Sequence, residues 1–384
     1  MSPLVAIVIL NWNGWQDTIE CLESVFHVIY PNYAVILVDN GSEDISLKKI
    51  RAYCVGDIQT ESSLFKYDLK NKPIKIFEFS REEAGIGKID IDRIEQIPPN
   101  KRMILIKNEQ NFGFAEGNNI GIFFALRTID PDFILLLNND TVVDPNFLRI
   151  LIDGTQNDER IALIQPKILN HSTKMIDNTG IMCDIFGATK ARGEYEEDIG
   201  QFDHLKTTGF FYASGACVLV SKTLIQEKNS REFFDKQLFA YHDDVDLSWE
   251  ARLLGFKVVY CPQSICYHKG SRTAGFFNPY KYHLVVKNRN RVLIKNYYLK
   301  NLLWILPFTI LCEITHSLAD AFFQRNNNYF LAFCQAILWN IKNIKNTLKY
   351  RKDIQMKRKV GDREIMKHLL FRSIELDLVI RKIF

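Results

Sequence analysis

Short, continuous apolar runs that end in amides, glycines or carboxylates set the pattern of the first 140 residues. VAIVIL (5–10), AVILV (34–38), MILI (103–106) and the apolar part of FILLLNND (133–140) are too short and too uniformly apolar for amphipathic helices. They predict strands buried on both faces. Helices are predicted between them. One starts at the capping-box sequence Asp17-Thr-Ile-Glu20 and carries Ile19, Leu22, Val25 and Phe26 on its apolar face. Others are expected over Ser46–Tyr53 and Ala115–Leu126. This alternation means a mostly parallel sheet covered by helices. Residues 54–102 interrupt it with polar sequence in which KPIKIFEFS (72–80) is the one strand-like piece. They read as an insertion, either a peripheral excursion or a lid or partner surface. Beyond residue 150 the pattern is mixed, with strands expected at 213–221 and 256–261 and helix from about 283 to the end.

The ends of the apolar runs carry the candidate chemistry. Open α/β sheets bind ligands outside the carboxyl ends of their strands. Asp39-Asn40 and Asn138-Asn139-Asp140 stand at such ends. A carboxylate there can hold a divalent cation, and the cation a diphosphate. The plainer alternative is a strand followed by a solvated turn through Pro145. Asp39 alone would cap a helix, but with Asp140 it can border one crevice. Asp243, Asp244 and Asp246 fall in the first turn of a predicted helix, where acids suit the helix dipole. Two adjacent carboxylates also resist joint ionisation, so one can be tuned as a base. Val245, Leu247, Trp249 and Leu253 would face the core and leave Asp244 toward a cleft. In the run Asn108–Gly121, Gly113 and Gly117 permit close backbone approach, and the helix that follows could face an anion. The run is neither a Walker A loop nor a dinucleotide fingerprint. Downstream, Lys269, Ser271 and Arg272 suit phosphate oxygens, and His268 could ligate a metal.

Charge divides the chain. Residues 341–384 hold 13 Lys/Arg and 5 Asp/Glu, a local +8, within a total of +4, so the rest carries −4. The tail seeks an anionic partner and the body does not, which argues against nucleic acid. The 8 cysteines form no CxxC pair and no zinc spacing. They read as buried thiols in a reducing compartment, with a Cys261–Cys266 bridge the less favoured reading. The first apolar run is too short for a signal, so a cytoplasmic protein is expected. The runs 302–312 (broken by Pro307) and 329–339 fall short of the ~20 residues of a spanning helix. They are expected either as core helices of a small C-terminal domain or, given the basic tail, as helices lying beside anionic lipid.

Taken in order, VAIVILNWNG, VILVDNGSED, NEQNFGFAEGNNIG, LLLNNDTVVDP, ASGACVLVS, YHDDVDLSWEARLLG and HKGSRT with KNRNRVL resemble the motif series of the family 2 glycosyltransferases. These are inverting enzymes of the GT-A fold, and the rhamnosyltransferase-like subgroup is the one most resembled. The resemblance implies an α/β fold: a Rossmann-like, mostly parallel central sheet with helices on both faces, then a helical C-terminal region. The catalytic domain would span 1–280, with a nucleotide-binding half to about 140 and an acceptor half from 141. Residues 281–384 would be helical, basic and membrane-associating. Asn11, Asn13, Asp39, Asn40, Gly113, Asn118, Asn139 and Asp140 would hold the donor nucleotide. Asp140 and His268 would hold Mg2+ or Mn2+, and Lys269, Ser271 and Arg272 the diphosphate. Asp244 would be the catalytic base, preceded by Asp243. The implied donor is a dTDP- or UDP-sugar, and the implied acceptor is a lipid-linked glycan for cell-surface glycan synthesis. The enzyme would be peripheral on the inner face of the cell membrane. Two residues depart from the motifs: Asn138 stands where the metal motif has its first acid, and Asp243 where the base motif has glutamate. A sugar nucleotidyltransferase is the alternative, but Ile9–Gly14 lacks the arginine or lysine it needs. A non-catalytic membrane scaffold with a sugar-nucleotide fold is a third reading, disfavoured by intact acids at 39, 140, 243 and 244.

Overall fold

The protein is described by a computed structural model that covers residues 2–87, 94, 96–156, 158–228, 232–270 and 278–383. The apolar runs form the strands they predict. Strand β1 (Val5–Asn11), helix α1 (Trp15–Phe26), β2 (Tyr33–Asp39), α2 (Ser46–Val55), β3 (Lys75–Ser80), α3 (Arg81–Ile86), β4 (Arg102–Lys107), α4 (Gly113–Thr128) and β5 (Phe133–Asn138) make the first half. Five of these strands lie parallel in the order β3-β4-β2-β1-β5. Helices cover both faces, and the residues of β1 and β2 alternate between two separate hydrophobic cores.

Two expectations change here. The interruption at 54–102 is partly structural, because β3 pairs with β4 over Lys75–Ser80 and forms the sheet edge. Helix α1 is not capped by Asp17: it starts at Trp15 after Gly14, with no side-chain cap. Asp17 and Glu20 serve the site instead, as described below.

The second half continues the same sheet. It comprises β6 (Thr141–Val143), α5 (Phe147–Asp153), β7 (Ile161–Asn170), β8 (Ile176–Asn178), β9 (Ile181–Cys183), β10 (Thr189–Ala191), β11 (Cys217–Ser221), α6 (Lys222–Lys228), α7 (Asp243–Leu253) and β12 (Lys257–His268). β11 inserts antiparallel between β5 and β7, and β12 runs parallel to β7. The expected strand at 213–221 is thus shorter, because 213–216 form the turn that enters β11. The strand expected at 256–261 is longer and ends on His268 itself. All eight cysteines are free, Cys261 and Cys266 included.

The C-terminal helices are α8 (Pro279–Asn296), α9 (Leu299–Phe323), α10 (Asn328–Lys342), α11 (Ile344–Lys357), α12 (Asp362–Met366) and α13 (Ile374–Ile383). α9 runs straight through Pro307 and is long and apolar enough to cross a membrane, by length and composition. The sequence expectation of a break at Pro307 does not hold. α8 packs against α10 and α11, and α9 against α10 and α13.

Candidate functional site

The strand register assembles the first part of the site. Asn11, the last residue of β1, sits level with Asp39 at the end of β2, while Leu10 is level with Asn138 of β5. Asp39 and Asp140 therefore flank the end of β1 rather than touch each other. Asp39 is 1% exposed and rigidly held. Its Oδ1 accepts from Asn11 Nδ2 (2.7 Å) and Ser42 Oγ (2.7 Å), and its Oδ2 from the Ser42 amide (3.1 Å). Thr18 Oγ1 fixes the other end of the Asn11 amide at 2.7 Å.

Asp140 follows β5 and faces the end of β12. Its Oδ1 is buried without a hydrogen bond and lies 3.4 Å from His268 Nε2. The opposite ring nitrogen, Nδ1, is 2.7 Å from Asp177 Oδ2. Burial opposes the imidazolium, but the two carboxylates prevail and raise the His268 pKa to about 10. The Asp140 oxygen has an imidazolium as its nearest partner, and that imidazole is oriented by a second carboxylate; a divalent cation would bind here by displacing the His268 Nε2 proton. These residues fit Mg2+ or Mn2+ as two ligands of a set that phosphate oxygens and water would complete. Among the described residues no group of three His, Cys, Asp or Glu could hold a metal unaided.

The acidic pair opens α7. Asp244 Oδ2 accepts from the Gly215 amide (3.1 Å) and Oδ1 from the Val245 amide (2.9 Å). Burial pushes the Asp244 carboxyl up to about 6, against those hydrogen bonds. Burial, then the neighbouring Asp244 charge, pushes Asp243 well above the usual carboxylate range. The chain enters this helix through a segment in which Phe239, Tyr241 and His242 all have positive φ (66°, 68° and 63°). Such conformations cost energy in non-glycine residues and persist only where neighbours enforce them. The enforcing group is Asn288 of α8. Its Nδ2 lies 2.9, 2.8 and 2.7 Å from the carbonyl oxygens of Leu238, Ala240 and Tyr241. Phe239 in turn lies against Gly113, where an added Cβ would come within 2.4 Å of its ring, and its carbonyl accepts from the Ala115 amide at 3.1 Å.

Two cavities meet at this strap. One, of about 470 Å³, includes Trp12, Asn40, Gly113, Asn139, Asp140 and Tyr280 in its lining. The other, of about 560 Å³, includes Gly215, Asp243, Asp244, His268, Arg289 and Glu375. Phe114, Asn138, Ala240, Tyr241 and Lys281 belong to both walls. Each volume suits a small-molecule site.

The motif series and this geometry converge with the family comparisons. A family model described as Glycosyltransferase like family 2 matches residues 78–293, and one described as Glycosyl transferase family 2 matches residues 6–83. The chain belongs to glycosyltransferase family 2. This family 2 glycosyltransferase is 23% identical over 190 residues to the low-salt glycan biosynthesis hexosyltransferase Agl10 of Haloferax volcanii, covering 48% of this chain and 58% of that protein. It is 24% identical over 186 residues to the poly-beta-1,6-N-acetyl-D-glucosamine synthase of Staphylococcus aureus, covering 47% and 40%. The matches thus take in only about half the length of these curated relatives. Among solved structures, GalNAc-T7 with UDP, GalNAc and Mn2+ aligns with a TM-score of 0.55 at 15% identity, covering 99% of this chain and 58% of that one. That likeness supports the GT-A fold.

Within this glycosyltransferase, the residues singled out from sequence fall into three groups. Asp140, Asn139, Gly113, His268, Asp243 and Asp244 line the two cavities. Asn11, Asn13, Asn40 and Asn118 spend their side chains on the scaffold. Asn11 holds Asp39 and Ser42, and Asn13 Oδ1 accepts from the Glu43 and Asp44 amides. Asn40 donates to Asn111 and the Gly113 carbonyl and accepts from Asn108 and the Phe112 amide. Asn118, 2% exposed, donates to the Phe114 carbonyl of its own helix. Gly117, expected to admit a ligand, admits Leu10 instead, since a Cβ there would lie 2.6 Å from its side chain. Lys269, expected at a diphosphate, is held by Asp17 and Glu20, both at 2.5 Å. Ser271 and Arg272 lie outside the described residues. Sequence reading missed Lys281, Asp177 and Asn288. Lys281 follows the N-cap Asn278-Pro279, and a cation in the first turn of a helix that starts beside a cavity was the available signal. Asp177 and Asn288 act through contacts 91 and 47–50 residues away, for which no local signal exists.

Proposed function

We propose that this protein is an inverting glycosyltransferase that moves a sugar from a nucleotide-diphosphate donor to a lipid-linked glycan in cell-surface glycan synthesis. The observation that carries the reading is the juxtaposition, across one shared wall, of Asp140 in the first cavity with His268 and Asp244 in the second. The donor would lie in the cavity lined by Trp12, Gly113 and Asp140. Asp39 would take a hydrogen bond from the base of a dTDP or UDP nucleotide. The motif series favours the rhamnosyltransferase-like subgroup, and with it rhamnose as the sugar.

Asp140 and His268 would hold a divalent cation, which when bound would supply charge neutralisation at the leaving diphosphate. GalNAc-T7 was solved with Mn2+ and UDP, which supports this expectation. Lys281, whose pKa burial lowers, lines both cavities and would add positive charge beside the diphosphate. Asp244 takes the proton from the acceptor hydroxyl as its oxygen attacks the anomeric carbon. The Gly215 and Val245 amides hold that carboxylate with one face toward the acceptor cavity. A single displacement with one base inverts the anomeric configuration, and its transition state is oxocarbenium-like.

Asp244→Asn keeps the shape but removes the base. Transfer from the donor should fall by about 10^3-fold or more, while donor binding, read by thermal stabilisation with UDP or dTDP and Mn2+, survives. Transfer at the wild-type rate in this variant would overturn the assignment.

A further inference from the structure

Helix α9 is built inside out. Its buried side includes Thr309, Cys312, Glu313, Ser317 and Asp320, with Glu313 at 0% exposure and Asp320 at 3%. Its outer side carries Leu303 (69% exposed), Trp304, Phe308, Leu311, Leu318 and Phe322 (77%). No exposed charge occurs between Lys300 and Arg325. Water-soluble helices distribute these classes the other way round. The interior acids have interior partners: Asn290 Nδ2 is 2.8 Å from Glu313 Oε2, and His316 Nε2 is 3.3 Å from Asp320 Oδ2. On the apolar outer face Trp304 and Phe308 touch the ring of Phe186, while Leu303, Leu311, Leu318 and Phe322 stand more than half exposed. The face continues through Leu331, Leu338 and Ile341 of α10 and Leu376 and Ile380 of α13, all exposed. On α13 the same inversion recurs, with Glu375 buried against Arg289 and His316.

This face is too large and too regular for water. Its margins identify what covers it. Lys300 and Arg325 stand exposed at its two ends, and Lys342 and Lys345 are exposed on the neighbouring segments, whereas Lys367 and Arg372 are paired with Glu364 and Asp377. Apolar surface edged by cations matches a bilayer with anionic headgroups. The site fixes the orientation. His316, in the second half of α9, lines the same cavity as Asp244. Were α9 to cross the bilayer, the reacting carboxylates would sit at hydrocarbon depth. The helix must lie along the interface.

We infer that the outer face of α9, with the adjoining rows of α10 and α13, lies in the interfacial plane of an anionic membrane, and that the acceptor cavity opens onto that plane past Ile374 and Leu378. Both residues line the cavity, and Leu378 is itself 47% exposed, so the cavity wall reaches the surface there. The lipid chain of an acceptor would stay in the bilayer while its polar head reaches Asp244. The second half of this inference rests on the proposed lipid-linked acceptor; the seating does not.

The test uses the full chain and vesicles of phosphatidylcholine with or without phosphatidylglycerol. Wild type should co-sediment with vesicles, more strongly with phosphatidylglycerol. The triple variant Leu303→Glu, Leu311→Glu, Leu318→Glu should lose partitioning by about ten-fold or more while its thermal stabilisation by UDP or dTDP is unchanged. Sedimentation velocity runs in parallel. If the triple variant breaks a dimer but binds vesicles like wild type, the face is a contact between two copies and the inference is overturned. If the variant fails to fold, brominated phosphatidylcholine decides. It should quench wild-type tryptophan emission, and Trp304→Phe should remove most of that quenching; equal quenching in both overturns the seating. Vesicle binding without sugar transfer would overturn the proposed function and leave the seating intact.

Discussion

At the scale of single residues, the proposed base Asp244 has an acidity suited to that role. Burial lifts its carboxyl to about 6, while the Gly215 and Val245 amides limit the rise. The group must be ionised to accept a proton. The rate of transfer should therefore climb with pH up to about 6 and level off above it. Asp243, also displaced upward, makes the pair titrate jointly, so the limb belongs to both carboxyls. A kcat/KM profile that stayed flat down to pH 4 would contradict this role. Asp39, Asp140 and Asp244 were legible in the sequence because each ends an apolar run or begins an amphipathic one. Lys269 was misleading for the same reason: a cation after a strand looks available until the fold brings Asp17 and Glu20 to it. Asn40 looks like a ligand group in a list of amides, and only packing reveals that both its donors and its acceptor are already used.

At the scale of elements, the strap from Leu238 to His242 is the least self-sufficient piece of the site. Three of its residues hold positive φ, and one amide on α8 gathers three of its carbonyls. Asn288→Asp replaces the donating amide with oxygen facing three oxygens. We expect a stability loss of roughly 1–3 kcal/mol and a larger proportional loss in kcat than in donor affinity, because the strap orients Asp244 more directly than it shapes the donor cavity. Steady-state kinetics beside calorimetric donor binding checks this. Unchanged kcat with weakened donor binding would assign the strap to the other cavity. The parallel strands were readable from their apolar runs. β3 was readable as a strand-like piece but not as part of the main sheet, because an edge strand needs no double-sided apolar pattern and its residues are half exposed. α9 was visible only in part: Glu313, His316 and Asp320 break its hydropathy, and the buried groups that receive them come from α8 and α13.

At the scale of the whole molecule, a buried ionic network joins the C-terminal helices to the helix that carries Asp243 and Asp244. Lys295 of α8 is fully buried, with Nζ 2.9 Å from Asp235 Oδ2 and 2.5 Å from Asp246 Oδ2. Arg291 makes a two-point contact with Asp235 at 2.7 and 3.1 Å. Asp235 precedes the strap and Asp246 follows the acidic pair, so α8 braces the site from both sides. Lys295→Met strands Asp246 in a dry interior. The expected cost is roughly 3–5 kcal/mol, measurable by urea unfolding, and a loss under about 1 kcal/mol would show that the carboxylate finds water. Ending the chain at residue 280, where the family resemblance puts the end of the catalytic domain, removes both cations and should give insoluble protein. Much of the basic tail is spent in this way: Arg358 Nη2, for example, lies 2.7 Å from Asp362 Oδ1, and Arg351 Nη1 donates to the Tyr297 carbonyl at 2.6 Å. The formal +8 therefore overstates the charge available to a partner.

The wall that both cavities share has a kinetic meaning. Phe114, Asn138, Ala240, Tyr241 and Lys281 cannot adjust to one occupant without changing the outline offered to the other. Whatever orders these five side chains around a nucleotide prepares the opposite pocket, and linkage requires the favour to be returned. Binding should then follow a sequence, nucleotide sugar first, with the spent nucleotide leaving last. Initial-rate patterns would show it: UDP or dTDP should compete with the donor and inhibit non-competitively against the acceptor.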